Sequence, residues 1–319
     1  MILYTVIPCY NEEAVLRETA SRLKEKYYTL CADGRISGDS RILFVNDGSR
    51  DSTWNIICEL HKSDGIFTGI SLSRNRGHQN ALIAGLMTAK ESADAVISMD
   101  ADLQDDINVI DKMLEKYNDG CEIVYGVRSS REKDSFFKRT TAQSFYKMMN
   151  FMGAETIYNH ADCRLMSRRA LEALSEYKEV NLFLRGLIPM IGFKSDVVYY
   201  ERAKRFAGES KYPLKKMISF AVDGITSLSV KPIRIITLLG FSIFLLSFVM
   251  FIYTLIRFFD GQTVDGWPSL IISVWAIGGL ILLSIGVVGE YIGKIYLESK
   301  ARPRYHIEHN LDDKTDNER

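Results

Sequence analysis

The chain has no surplus of charge: Lys and Arg number 40 and Asp and Glu number 40 across 319 residues. Net charge therefore names no partner, and no nucleic-acid ligand is expected. Its five cysteines, Cys9, Cys31, Cys58, Cys121 and Cys163, are scattered and form no C-x-x-C pair. That argues against a disulfide framework and a zinc site, and fits reduced thiols in the cytosol. No secretory leader is expected either. Met1 to Pro8 is apolar but too short, and Asn11-Glu12-Glu13 follow at once, so the stretch reads as a buried first strand. The mean hydropathy of −0.04 suggests a soluble chain only because it averages two unlike parts.

The first part, residues 1 to about 125, alternates β-rich and helical runs. Strands are predicted at Ile2–Ile7, Arg41–Asn46, Ile66–Leu72 and Ala95–Met99, with helices at Glu12–Tyr28, Asp51–His61 and Gly77–Lys90. This alternation predicts an α/β fold: a mostly parallel sheet with helices on both faces. Such sheets bind ligands beyond the carboxyl ends of their strands. The polar motifs fall there: Cys9-Tyr10-Asn11-Glu12, Asn46-Asp47-Gly48-Ser49 and Asp100-Ala101-Asp102.

Asp100 and Asp102 repel one another unless a cation lies between them, and a hard cation takes oxygen ligands. Mg²⁺ keeps one or two protein carboxylates and completes its shell with substrate phosphate, here a nucleotide diphosphate. Gln104 and Asp105 are further ligands or supports. Asp47 either ends a turn or accepts hydrogen bonds from a base or ribose, and Tyr10 either stacks on a base or packs. Arg74, Arg76 and His78 surround Gly77 before a helix, where phosphate can be held as readily as solvent.

The second part is apolar. Ile235–Ile256 and Pro268–Gly289 are each 22 residues without a charge, enough to cross a bilayer. Before them, eight basic residues between Arg202 and Arg234 face only Glu209 and Asp223, which predicts an amphipathic segment on anionic headgroups. The connection from Phe258 to Trp267 holds Asp260 and Asp265 and no Lys or Arg, whereas Tyr291–Arg304 holds Lys294, Lys300, Arg302 and Arg304. The positive-inside rule then places the catalytic domain and both termini in the cytoplasm, on a multi-pass plasma-membrane protein. The expected divisions are a catalytic domain at 1–200, a basic juxtamembrane segment at 201–232, a two-helix hairpin at 233–294 and a polar tail at 295–319.

Four blocks in order, Ile7-Pro8-Cys9-Tyr10-Asn11-Glu12-Glu13, Val45 to Thr53, Ser73 to Leu82 and Asp100 to Asp105, resemble glycosyltransferase family 2 with its GT-A fold. Gly126-Val127-Arg128, Asp162 to Ser167, Phe183 to Gly186 and Arg205 to Tyr212 narrow the resemblance to polyprenyl-phosphate glycosyltransferases. The two-helix tail is similar to that of the bactoprenol glucosyltransferase branch and of dolichol-phosphate mannose synthases with membrane helices. One departure is visible: Asp106 stands where the family usually has Pro.

The resemblance implies inverting transfer of a sugar from a nucleotide sugar to a polyprenyl phosphate such as undecaprenyl phosphate. Asp100, Asp102 and Gln104 would hold Mg²⁺ or Mn²⁺. Pro8, Tyr10, Asn11, Glu12, Asp47, Arg76, Ala101, Arg202 and Arg205 join the Asp100–Asp102 pair around the donor. Arg128, Arg131 and Arg139 would meet the acceptor phosphate. Asp102, Arg128 and Asp162 are the candidate catalytic residues, Asp162 either as a base or as the group that orients Arg164. Glucose from UDP-glucose is the first expectation, with UDP-N-acetylglucosamine, UDP-galactose and GDP-mannose open. A processive synthase would carry a Q-x-x-R-W block, and none is present. A non-catalytic, membrane-tethered scaffold that binds sugar nucleotides is the reading from another class. Gly278-Gly279 and the glycines from Gly286 to Gly293 permit close helix packing, so a homo-oligomer stays open.

Overall fold

A computed structural model describes residues 1–128, 160–180, 182–201, 226, 229–259 and 266–312. Eight strands form one sheet in the order β7-β5-β6-β4-β1-β2-β3-β8. They are β1 (Leu3–Cys9), β2 (Arg41–Asn46), β3 (Phe67–Leu72), β4 (Ala95–Ser98), β5 (Ile123–Arg128), β6 (His160–Ser167), β7 (Ser195–Tyr200) and β8 (Ile307–Asn310). β3, β2, β1 and β4 are parallel neighbours, as are β5 and β7. β6 runs antiparallel between β4 and β5, and β8 lies antiparallel on β3. The sheet is thus mostly parallel and GT-A-like.

The central strands are buried on both faces, which is why they read as continuous apolar runs rather than alternating ones. Helices cover both sides. On one side lie α1 (Leu16–Ala32), α2 (Thr53–Ser63) and α4 (Val109–Asn118), which pack with Leu3, Ile7, Phe44 and Ile97. On the other lie α3 (His78–Lys90), α5 (Arg168–Glu176) and α6 (Leu184–Met190), with Val6, Leu43, Val45 and Met166. α1 shows the pattern behind this: Leu16, Thr19, Ala20, Leu23, Tyr27 and Leu30 recur at helical spacing and are its buried face. It begins at Leu16 rather than Glu12, because the Glu12 amide donates to Thr53 Oγ1 (2.9 Å) and the Glu13 amide to Asp51 Oδ2 (3.2 Å). All five cysteines are free.

The order of connections reverses at β1. β2 lies on one side of it and β4 on the other. That reversal opens a crevice at the carboxyl ends of the strands, where Cys9 to Glu12, Asp47 and Asp100 converge.

Two long helices follow, α7 (Lys231–Phe259, 29 residues) and α8 (Trp267–Ser299, 33 residues). They contain the predicted runs Ile235–Ile256 and Pro268–Gly289. Among the described residues one stretch, Ile277–Ser299, is long and apolar enough to cross a membrane. Both helices expose large apolar side chains: Leu246 at 63%, Leu282 at 71% and Ile295 at 65%. The basic segment expected at 201–232 lies mostly outside the described residues. The stretch expected as a polar tail contributes a strand, since β8 continues the sheet beyond β3.

Candidate functional site

One half of the crevice is built around Asp47. It follows β2, and its residue is only 2% exposed. Its two carboxylate oxygens accept the backbone amides of Arg76 (2.7 Å) and Gly77 (2.9 Å). Burial raises its pKa, against the pull of those two amides, His78 and Arg76. Gly48 makes this approach feasible. Its φ is +62°, and a Cβ there would sit 2.5 Å from the Asn75 nitrogen. Asn11, with φ 55°, accepts the Arg50 amide on Oδ1 (2.9 Å) and donates its own amide to Ser49 Oγ (3.1 Å). A short polar side chain is what tolerates this left-handed backbone. Pro8 is buried in β1, Tyr10 is exposed, and Glu12 is anchored through its backbone.

The other half is acidic. Asp100 follows β4, and its carboxyl is pushed up to about 6. Burial is the main cause; His78 pulls it down, and Asp162, Asp105 and Asp102 push it further up. The Asp102 carboxylate accepts the Gln104 amide (3.1 Å), and Ala101 is buried, its carbonyl accepting Thr19 Oγ1 (2.8 Å). Between Asp102 and Gln104, Leu103 holds φ 57°, a strained conformation for a bulky residue. Tyr200 donates its hydroxyl to Asp105 (2.5 Å). Asp106, in place of the expected Pro, accepts the amide and side chain of Asn108 and so shapes the turn into α4.

Asp162, on β6, completes the cluster. Arg185 at the start of α6 grips it with two hydrogen bonds, Nε to Oδ1 (3.2 Å) and Nη2 to Oδ2 (3.0 Å). Arg164, itself buried, lies 3.8 Å from the same carboxylate and over the Tyr125 ring. Burial alone would raise the Asp162 pKa, but Arg185, Arg164 and His78 hold it well below the usual carboxylate range. The His78 Nε2 atom is 3.8 Å from both Asp100 Oδ1 and Asp162 Oδ2. Ligand atoms of His78, Asp100 and Asp162 lie within 4.8 Å of one another.

The oxygen-rich donor set fits Mg²⁺ or Mn²⁺. Asp162, Asp105 and Asp102 add to burial in raising the Asp100 pKa, a crowding that a dication would relieve, and Asp100 and Asp102 would hold the ion. Asp162 is already neutralised by Arg185, which leaves it a weaker ligand.

The structure brings Pro8, Asn11, Glu12, Asp47, Arg76, Asp100, Ala101, Asp102, Gln104 and Asp162 to the carboxyl ends of the strands. Arg128 closes β5, with only its backbone described. Arg131, Arg139, Arg202 and Arg205 lie outside the described residues. The sequence reading did not pair Arg185 with Asp162 or place His78 beside both acids. The two members of each pair are distant in sequence, so no local pattern signals them.

The pattern of glycosyl transferase family 2 matches residues 4–175. The chain belongs to glycosyltransferase family 2. A second family, described as the GtrB C-terminal hairpin, matches residues 231–295 and so takes in α7 and most of α8. An uncharacterised glycosyltransferase of Bacillus subtilis (strain 168) is 56% identical, covering 97% of this chain and 92% of that protein. The bactoprenol glucosyl transferase of Shigella phage SfV is 42% identical, over 96% and 98%. A prophage bactoprenol glucosyl transferase homolog of Escherichia coli (strain K12) is 40% identical, over 96% and 98%. As a family 2 glycosyltransferase, the chain is an enzyme, and its acidic cluster lies at the carboxyl ends of the parallel strands.

Proposed function

We propose that the enzyme transfers a hexose, glucose from UDP-glucose, onto a polyprenyl phosphate at the cytoplasmic face of the membrane, with inversion. The observation that carries this reading is the likeness to bactoprenol glucosyl transferases across both the catalytic domain and the hairpin. The exposed apolar faces of α7 and α8 support a two-span anchor that sets the crevice near a lipid acceptor. Residues 1–200, 201–232, 233–294 and 295–319 then act as catalytic domain, surface segment, anchor and cytoplasmic tail.

A phosphate monoester has a second pKa of about 6, so the acceptor is largely dianionic at neutral pH and needs little help from a base. Its oxygen attacks the sugar C1, the bond from C1 to the diphosphate breaks, and UDP leaves. The main difficulty is bringing one anion up to another. Bound Mg²⁺ or Mn²⁺, held by Asp100 and Asp102 with Gln104 in support, would supply screening of the diphosphate charge. Arg128, with Arg131 and Arg139, would align the acceptor phosphate, and Arg202 and Arg205 would close over the donor. Asp47 and Tyr10 take the nucleoside, with Pro8, Asn11 and Glu12 shaping that wall and Arg76 near the phosphates. Ala101 lets the donor approach. Asp162, held as an anion by Arg185, suits an orienting role better than that of a base.

The test is transfer by purified full-length protein in detergent, with undecaprenyl phosphate, Mg²⁺ or Mn²⁺, and radiolabelled UDP-glucose, UDP-N-acetylglucosamine, UDP-galactose or GDP-mannose. Label should enter the organic phase from UDP-glucose and be lost with EDTA. Label from another donor would replace the sugar assignment. Nucleotide binding without turnover of any donor would favour the scaffold.

A further inference from the structure

β8 is tied at both ends. On its helix side, the Val180 amide donates to both carboxylate oxygens of Glu298 near the end of α8 (2.9 and 2.8 Å), and Arg304 donates to the Tyr177 carbonyl. Tyr305 packs against the core on the α3 side. Only seven residues separate Ser299, the end of α8, from Ile307. On its sheet side, Asn310, His309 and Ile307 pair with Ile70, Ser71 and Leu72 across a bulge. The Ser73 amide donates to the His306 carbonyl (3.0 Å) and the Leu311 amide to the Gly69 carbonyl (2.9 Å). The His309 ring stacks on Trp54 of α2 at 6.1 Å. Leu311 enters the space over Gly69, where a Cβ would meet its Cδ1 at 3.2 Å.

The point of attachment matters. Ser71 also pairs with Asn46, whose Nδ2 donates to Ser71 Oγ (2.9 Å) and whose Oδ1 accepts the Ser49 amide (3.1 Å). Asn46 immediately precedes Asp47. Ser73, held by His306, opens the loop whose Arg76 and Gly77 amides bind the Asp47 carboxylate. β8 therefore braces both sides of the Asp47 half-site, and the brace is anchored to an apolar helix.

We propose that β8 is a positioning strand for the Asp47 half of the crevice, and that α8 holds it in place. This inference rests on the reading that the Asp47 side takes the nucleotide. Without the strand, the loop from Ser73 to Gly77 loses its outer support and fills its binding conformation only part of the time. Apparent donor affinity falls by the same fraction. The acidic half is built on β4 and β6, with β1, β2 and β3 between them and β8 in the sheet, so those two strands keep their pairing.

The experiment compares wild type with Leu311→Asp and His309→Pro in the full chain in detergent. Amide hydrogen exchange is read at Arg76, Gly77, β3, β1 and β4, and binding is measured with UDP and Mg²⁺. The strand accounts for the site if Arg76 and Gly77 exchange faster while β1 and β4 stay protected. UDP should bind about tenfold more weakly, as when the competent state drops to about a tenth of the molecules. A synthetic peptide of residues 304–312 should restore both. Unchanged exchange at Arg76 and Gly77 despite a freed β3 edge would overturn the proposal, and so would a rise spread equally over β1 and β4. Failure of wild type to bind UDP would instead sink the donor reading, and the exchange result would still judge the strand.

Discussion

Asp47 and Asp162 are both largely buried acids at the mouth of the sheet, yet their surroundings push them in opposite directions. Asp47 is met by two backbone amides, partial charges that only in part offset its lost hydration. Asp162 is met by a guanidinium in a two-bond grip, with a second one behind it. A carboxylate of the first kind is easily given up to a ligand that brings its own donors. One of the second kind is a fixed anion that organises its neighbours. The proposed reading gives the two halves of the crevice different tasks, recognition beside β2 and charge management beside β4 and β6.

The largest expected effect lies in the acidic half. Asp100→Asn should lower turnover by about 10³-fold, read as lipid-linked label, if the proposed metal site there screens the diphosphate. Asp47→Asn should be milder and act mainly on donor KM. Equal losses of kcat in the two variants would erase the distinction between the halves.

Arg185→Ala should come next. It leaves the Asp162 carboxylate without its main partner, a loss of about 2–3 kcal/mol, less than for a fully buried pair because that side chain is 22% exposed. A melting midpoint lower by about 5–10 °C would report it. Adding Asp162→Asn to that variant should recover part of the loss, which it would not do if Arg185 acted only through packing.

Gly48→Ala should destabilise the protein by about 1–3 kcal/mol, since φ is positive and the Asn75 nitrogen occupies the space. UDP binding should weaken with it, because Arg74 and Asn75 must move. Normal binding would show that this approach is dispensable.

The smallest effect is a slope with pH. The folded Asp47 carboxyl has a raised pKa, so its stabilisation is present below the ordinary carboxylate range and is lost as pH rises through the folded value. For Asp162 the folded pKa is depressed. Its stabilisation is present above that range and is lost as pH falls through the folded value. Melting curves from pH 3.5 to 7 should therefore change slope in opposite senses in Asp47→Asn and in Asp162→Asn.

Much of the sheet could be read in advance because its strands are buried on both faces. Arg41–Asn46 matches β2 to the residue, and the helices over Thr53–Ser63 and His78–Lys90 lie within two residues of expectation. The motif residues were legible because a parallel sheet places every strand end on one side. What stayed hidden depends on contacts between distant segments. The Asp162–Arg185 grip joins β6 to α6. β8 has the sequence Ile307-Glu308-His309-Asn310, too short and polar to announce a strand, and it exists because β3 offers an open edge. The strain at Leu103 has no sequence signal, since Leu is a poor choice for that backbone.

The position of β8 also fixes an order of events during synthesis. It is translated after both apolar helices, so the sheet remains unfinished, with the edge of β3 exposed, until α8 has left the ribosome. A chain whose synthesis stops within the hairpin would carry that bare edge, open to pairing with another molecule. The last strand made therefore works as a completion mark: only a polypeptide whose hydrophobic hairpin has been fully made can seal its own sheet.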